Sequence, residues 1–202
     1  MPKEKSTNKK KLINDPVYGF ITIPDEIIFD VIEHPFVQRL RRILQLGLTH
    51  LVYPGAMHTR FNHVLGAMHL MRTAISTIRR KGHSVSENEE RAVLLAILLH
   101  DIGHGPFSHA LEYDIVSGIT HEEISSLFIK KLANEFGPDL DEALLIFQNK
   151  HPKKFLYELV SSQLDMDRLD YLNRDSFYTG VSEGIIGSER LIDMLNVSNG
   201  QL

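Results

Sequence analysis

The chain contains no cysteine, which excludes disulfides and thiolate metal sites together. No apolar run reaches the roughly 20 residues that a bilayer-spanning helix needs. Met1–Lys11 is lysine-rich and has no apolar stretch, so it is not a secretory signal. A surplus of positive charge is also missing. The 22 Lys and Arg residues face 26 Asp and Glu, a net charge of −4 with histidine neutral, and the chain as a whole has no electrostatic footprint for nucleic acid. Internal repeats and low-complexity linkers are absent, and no domain boundary shows. What remains is 202 residues, enough for one domain with a real core. The expected division is a flexible lead-in over 1–14 and one folded unit over 15–202. With 43% hydrophobic and 24% charged residues, the composition is that of a soluble globular chain. Together with the missing cysteines it points to the cytoplasm.

Histidine is the residue in excess. Of 11, eight fall between Met57 and His121, and the clustering of six of them (His58, His63, His100, His104, His109 and His121) favours a metal or phosphate site. His69 shares the window but belongs to a helix pattern of its own.

The hydrophobic periodicity predicts an all-α fold with one short hairpin. Val17–Ile23 alternates around Gly19 and reads as an extended pair. Pro24-Asp25 opens a helix that stops near His34-Pro35, and Phe36–Leu46 reads as a second one with Arg39, Arg41 and Arg42 on a solvated face. Gly47–Gly55 is a loop or a short strand containing Leu51-Val52-Tyr53. Thr59 is an N-cap for a long helix closed by Gly82. Ser86 with Glu89, and Thr120 with Glu123, match capping boxes. Further helices follow from Asp139 to Phe147, Pro152 to Leu159 and Leu164 to Ser176, then a glycine-punctuated loop and a short helix ending at Leu195. Ser198–Leu202 reads as a turn into further chain, so a fragment lacking part of its binding pocket is expected.

Within this pattern His63, the pair His100-Asp101, and Asp167 stand out. A buried charge costs several kcal/mol unless it is paired or binds a metal, and adjacent His and Asp at the end of the apolar run Ala92–Leu99 are poorly explained as packing. Imidazole and carboxylate donors suit Mn, Fe, Ni, Co or Zn, with Mg when oxygen dominates. Helices of a bundle can bring such donors to one ion. That ion would lower the pKa of a bound water and polarise a phosphoryl oxygen. The residues therefore predict a mononuclear metal site for phosphate-ester hydrolysis.

The H…HD…D order resembles the HD-domain superfamily of metal-dependent phosphohydrolases. The segments Tyr53-Pro54-Gly55-Ala56, His58–His63, His100–His109 and Asp165–Tyr171 narrow the resemblance to the deoxynucleoside triphosphate triphosphohydrolases, over about Gln45 to Gly180. The resemblance implies His63, His100, Asp101 and Asp167 as ligands of one divalent ion, with additional Mg arriving on the nucleotide. It implies His109 as general acid toward the leaving oxygen, oriented by Glu112, with His104 and His121 at the phosphates. Arg60, Arg168, Tyr171 and Asp175 match triphosphate and sugar contacts, and Gln45 and Leu46 a pair against the deoxyribose. A deoxynucleoside triphosphate substrate, an effector nucleotide and a homo-oligomer without membrane attachment belong to the same implication. Asn62 departs from the pattern, since many relatives carry Glu there.

Each residue also has a plainer reading. His63 could be a structural core histidine, and His100 a helix-end cation beside a paired carboxylate. Asp167 could be a helix-start acid, His104 and His109 loop residues, and His121 a helix-start residue. Arg60 and Arg168 could be solvated, Tyr171 a core aromatic, and Asp175 the partner of Arg174. His34, His50, His69, His83 and His151 read as structural. Two other functions share the motif: a different HD hydrolase (phosphomonoesterase, cyclic-nucleotide phosphodiesterase or alarmone hydrolase), and a nucleotide-binding module without catalysis.

Overall fold

The computed structural model describes residues 11–111 and 118–202. Among these the chain is all-α apart from one hairpin. Strands β1 (Leu12–Asp15) and β2 (Gly19–Thr22) pair antiparallel with Asp15 opposite Gly19. The hairpin starts earlier than its sequence suggests and takes in residues assigned to the lead-in. The reason is Asp15, whose Oδ1 accepts from the backbone N–H of Val17 (2.9 Å) and Tyr18 (3.1 Å) and so fixes the turn at 15–19.

Helix α1 (Glu26–Glu33) is capped by Asp25 and buries Ile28, Val31 and Ile32. The helix expected over Phe36–Leu46 is broken. It forms α2 (Pro35–Gln38) and a 3-10 turn (Arg39–Arg42), then becomes extended at Ile43. Tertiary pairing overrides the local pattern here: Leu44 bridges Thr59, Gln45 N–H donates to His58 O, and Arg60 N–H donates to Ile43 O. The arginine face is not wholly solvated either. Arg39 donates to the carbonyls of Ile102 and His104, and Arg41 lies over the Phe61 ring at 3.7 Å.

The centre of the bundle is α3 (Arg60–Arg80) and α4 (Glu87–Leu99). Every residue from Ala92 to Leu99 is buried, as expected of a helix enclosed on all sides. Thr59 caps α3 reciprocally with Asn62, whose Oδ1 takes the Thr59 N–H and hydroxyl. The residue that departs from the family pattern is thus engaged in the cap. Helices α5 (His121–Phe136) and α6 (Pro138–Phe147) follow, and α6 packs on α4. Then come α7 (Lys154–Val160), α8 (Met166–Thr179) and α9 (Ser188–Met194). Helix α8 is capped by Asp165, ends at left-handed Gly180, and packs along α3. The tetrad therefore sits where α3, the end of α4 and the start of α8 meet. No helix among the described residues is long and apolar enough to cross a membrane.

Candidate active site

His63 lies one turn into α3, fully buried, and its Nδ1 meets Asp170 Oδ2 at 2.7 Å. His100 caps the C-terminal end of α4, and its Nδ1 lies 2.6 Å from the Ile97 carbonyl. With both Nδ1 atoms engaged by oxygen, each ring presents Nε2, and the two Nε2 atoms stand 3.3 Å apart. Asp167 Oδ1 is 3.0 Å from His63 Nε2 and 3.4 Å from His100 Nε2. Asp101 approaches the same point, 3.7 Å from His63 and 3.4 Å from His100. Bonds of about 2.0–2.2 Å to one ion place neighbouring ligand atoms roughly 2.8–3.6 Å apart, so the donor set and spacing fit a single divalent cation. Oxygen behind each histidine is the usual device that fixes the tautomer and aims the ring. Arg60 also bonds Asp101 Oδ2, which brings a guanidinium to the edge of the site.

The electrostatics follow from this crowding. Burial disfavours the His63 imidazolium, but hydrogen bonds to Asp167 and Asp170 outweigh it and raise the pKa to about 10. His100 moves the same way, with burial overcome by Asp101 and Asp167. Burial would raise Asp101, yet His100 and Arg60 hold it well below the usual carboxylate range. Asp167 is lowered too, by His100 and His63 against burial. The carboxylates are thus charged at neutral pH and directed at one point, the field a divalent cation requires.

Beside the tetrad lies a second imidazole group. His104 stacks on His121 at 3.9 Å and meets His109 edge-on at 4.6 Å. Its Nε2 is 3.3 Å from Asp101 Oδ1. Burial is the main cause that lowers its pKa, to about 4, with Arg60 and His121 adding to it against Asp101, so His104 is neutral at pH 7. The loop carrying His104 and His109 is held from two directions. Arg39 grips its carbonyls, and Ser125 of α5 donates to His100 O (2.8 Å) while accepting from Gly103 N–H (2.9 Å). Gly103 permits that approach, since a Cβ there would stand 2.1 Å from His121 O. Phe107 follows in the left-handed region at φ 65°, backbone strain of the kind that concentrates at functional loops.

A cleft of about 410 Å³ opens over the tetrad. Its lining includes His100, Asp101 and Asp167, then Arg60, His109 and His121, and on the far walls Gln45, Leu46, Tyr171 and Asp175. His63 lies beneath it, buried. Arg168 is exposed and is not among the lining residues; its backbone N–H serves the Asp165 cap. Glu112 lies outside the described residues. Asp175 does not pair with Arg174. Its Oδ1 meets buried His58 Nε2 at 2.7 Å, and Tyr178 stacks on His58 at 4.6 Å.

Sequence reasoning gave Asp170 and Asp15 no role, counted His58 only within the histidine cluster, and read Arg39 as solvated and Arg174 as a partner of Asp175. Asp170 had a signal: Asp167, Asp170 and Arg174 stand at i, i+3 and i+7, one face of a helix. Arg174 is completely buried and grips Asp170 with Nε (2.9 Å) and Nη2 (3.0 Å). Its Nη1 reaches Asp15 Oδ2 at 2.8 Å. Gly66 on α3 makes the room, because a Cβ there would lie 2.0 Å from Asp170 Oδ1 and 2.1 Å from Arg174 Nη2.

Comparison with known proteins agrees with this geometry. The crystal structure of a phosphohydrolase from Bacteroides thetaiotaomicron superposes with a TM-score of 0.93 at 56% identity, over 96% of this chain and 48% of that one. The uncharacterized protein YwfO of Bacillus subtilis is 36% identical over 96% of this chain and 46% of its own length. The deoxynucleoside triphosphate triphosphohydrolase SAMHD1 homolog of Dictyostelium discoideum is 35% identical over 98% of this chain and 42% of its own length. The chain thus spans somewhat under half the length of these relatives. HD domains bind divalent metals, and His63, His100 and Asp101 form a buried group that could hold one. Residues 60–175, which hold all four tetrad residues, match the HD domain, and the chain belongs to the HD-domain phosphohydrolase superfamily, in the group resembling the deoxynucleoside triphosphate triphosphohydrolases.

Proposed function

We propose that this chain hydrolyses deoxynucleoside triphosphates to deoxynucleoside and inorganic triphosphate. The observation that carries the reading is the cleft, in which His100, Asp101 and Asp167 of the tetrad, Arg60, the imidazoles of His109 and His121, and a wall of Gln45, Leu46, Tyr171 and Asp175 face one volume. A divalent ion held by His63, His100, Asp101 and Asp167 would lower the pKa of water and polarise a phosphoryl oxygen. Manganese, iron, nickel, cobalt, zinc and magnesium are the candidates for this donor set.

The remaining work falls to side chains. Water oxygen adds to the α-phosphorus and releases a proton to solvent, the bond to the 5′-oxygen breaks, and His109 gives its proton to that oxygen as it leaves. A positioned acid contributes about 10²–10⁴ in rate. Arg60 offers a planar fork to the phosphates, and His121 supplies a further polar contact, while His104, buried and not among the lining residues, stacks against it. Arg168 is a weaker candidate for the tail, because its exposed position requires it to swing inward. Gln45 and Leu46 sit against the deoxyribose, where a 2′-hydroxyl would crowd them. Preorganised charge supplies most of the acceleration in phosphoryl chemistry of this kind. An effector nucleotide and a homo-oligomer form part of the same reading, and light scattering with and without dGTP reads both.

The test is product identity. With Mn²⁺ and each deoxynucleoside triphosphate, ³¹P NMR should detect inorganic triphosphate in step with free deoxynucleoside, and the His100→Ala and Asp101→Ala variants should lose it. Orthophosphate or a linear dinucleotide without triphosphate would assign the chain to another HD hydrolase activity. Nucleotide binding without turnover in the metal-loaded protein would make it a binding module.

A further inference from the structure

Arg174 holds two carboxylates at once. Asp170 lies on its own helix, and Asp15 comes from the N-terminal hairpin, 159 residues away in sequence. All three side chains are buried, at 0% exposure for Arg174 and Asp170 and 4% for Asp15. The Tyr18 ring, 5.5 Å from the guanidinium, packs beside the group. Asp170 Oδ2 is shared between Arg174 Nε and His63 Nδ1. The group therefore holds two negative charges and one positive charge behind a residue of the tetrad.

That balance decides what Asp170 can offer His63. A guanidinium paired bidentately with a single carboxylate cancels its charge and competes for its lone pairs. With Asp15 on its other edge, Arg174 is already matched, and the charge of Asp170 remains available to the imidazole. A carboxylate behind a ligating histidine raises its basicity, and losing such a partner lowers metal affinity by about 10–100-fold. Building on the metal reading above, we infer that Asp15 is a positioning residue of the metal site: by neutralising Arg174 it leaves Asp170 free to orient and polarise His63, and the hairpin becomes part of the metal centre.

The test uses the full chain and Mn²⁺ alone, with binding read by electron paramagnetic resonance. Asp15→Asn keeps the oxygen that accepts from Val17 and Tyr18, removes the charge, and puts an amide donor in place of the oxygen that accepts from Arg174 Nη1. We expect its Mn²⁺ affinity to fall about tenfold or more with helicity retained by circular dichroism. Adding Arg174→Met removes the unmatched guanidinium, and affinity should return to within about threefold of the parent. A purely structural role for Asp15 predicts the opposite, with the double variant no better than the single one. An unchanged affinity in D15N, or a double variant that binds no more tightly than D15N, overturns the inference. If D15N does not fold, Asp15→Glu decides. It keeps the charge while disturbing the turn, so affinity held within about threefold beside a lowered melting temperature supports the inference, and a tenfold loss overturns it. Absence of Mn²⁺ binding in the parent chain would instead remove the metal reading, and this inference with it.

Discussion

Replacing Gly66 with alanine adds a single methyl group on α3 where it faces Asp170 and Arg174 of α8. On an exposed helix the exchange would help, since alanine is favoured over glycine by about 1 kcal/mol. Here the new Cβ would meet Asp170 Oδ1 at 2.0 Å, Arg174 Nη2 at 2.1 Å and Asp170 Cγ at 2.9 Å. These atoms belong to a fully buried ion pair rather than to a flexible side-chain end, so the methyl group must part the helices or break the pair. Breaking a buried pair costs about 3–5 kcal/mol. After the helix-propensity gain, the net destabilisation is about 2–4 kcal/mol. For a chain of this size each kcal/mol lowers the melting temperature by about 2–4 °C, so a drop of roughly 4–16 °C is expected. Thermal melts and urea titration followed by circular dichroism measure it, with the urea midpoint falling at unchanged slope. A melting temperature equal to or above that of the parent would refute the reasoning, because propensity alone would then have decided the outcome.

Ser125→Ala should cost about 2 kcal/mol, since it strands the buried Gly103 N–H and His100 carbonyl that Ser125 satisfies; chemical denaturation checks this, and a loss under about 0.5 kcal/mol would mean that the groups find other partners. Glu89 bears on acid stability. Burial would raise its carboxyl, but Lys153 and the Ser86 N–H hold it below its ordinary value. The unfolded chain therefore binds the proton more readily, so this stabilisation is present above the unfolded pKa of about 4.3 and is lost as pH falls through the folded value. Glu89→Gln should accordingly narrow the difference in urea midpoint between pH 6 and pH 3. Chelation followed by Mn²⁺ addition should raise the melting temperature, by the equivalent of about 2.7 kcal/mol at 100 times the dissociation constant; the Asp167→Asn variant should show much less of that rise in the same thermal-shift assay.

What could be read in the sequence was what is local. The caps of α3, α4 and α5 each lie within four residues, and their side chains bond inside that window. The buried run Ala92–Leu99 likewise declares its own enclosure. Sequence reasoning failed where the deciding partner is remote. Phe36–Leu46 carries a helical pattern, but residues 58–60 draw Ile43–Gln45 into extended pairing. Arg39 looks solvated until the carbonyls of Ile102 and His104 come within reach. Asp175 has an arginine next to it in sequence, yet it is bound by His58, 117 residues away. The tetrad stood out in the sequence only as a set, because each of its residues alone has a plainer reading and the order of the four with their flanking segments does not. The group behind it did not stand out, because an Asp and an Arg near a helix end resemble any surface pair until Asp15 arrives.

The distances along the chain carry a consequence for how the molecule is made. Asp15 leaves the ribosome early and Arg174 late, and a chain growing at about 5–20 residues per second separates them by roughly 8–30 s. Throughout that interval the hairpin lacks its counter-charge, and His63 lacks both Asp167 and Asp170. The geometry around His63 therefore cannot close until residue 174 has been made, and on the proposed metal reading, loading of an ion would report that the N-terminal hairpin and α8 have found each other.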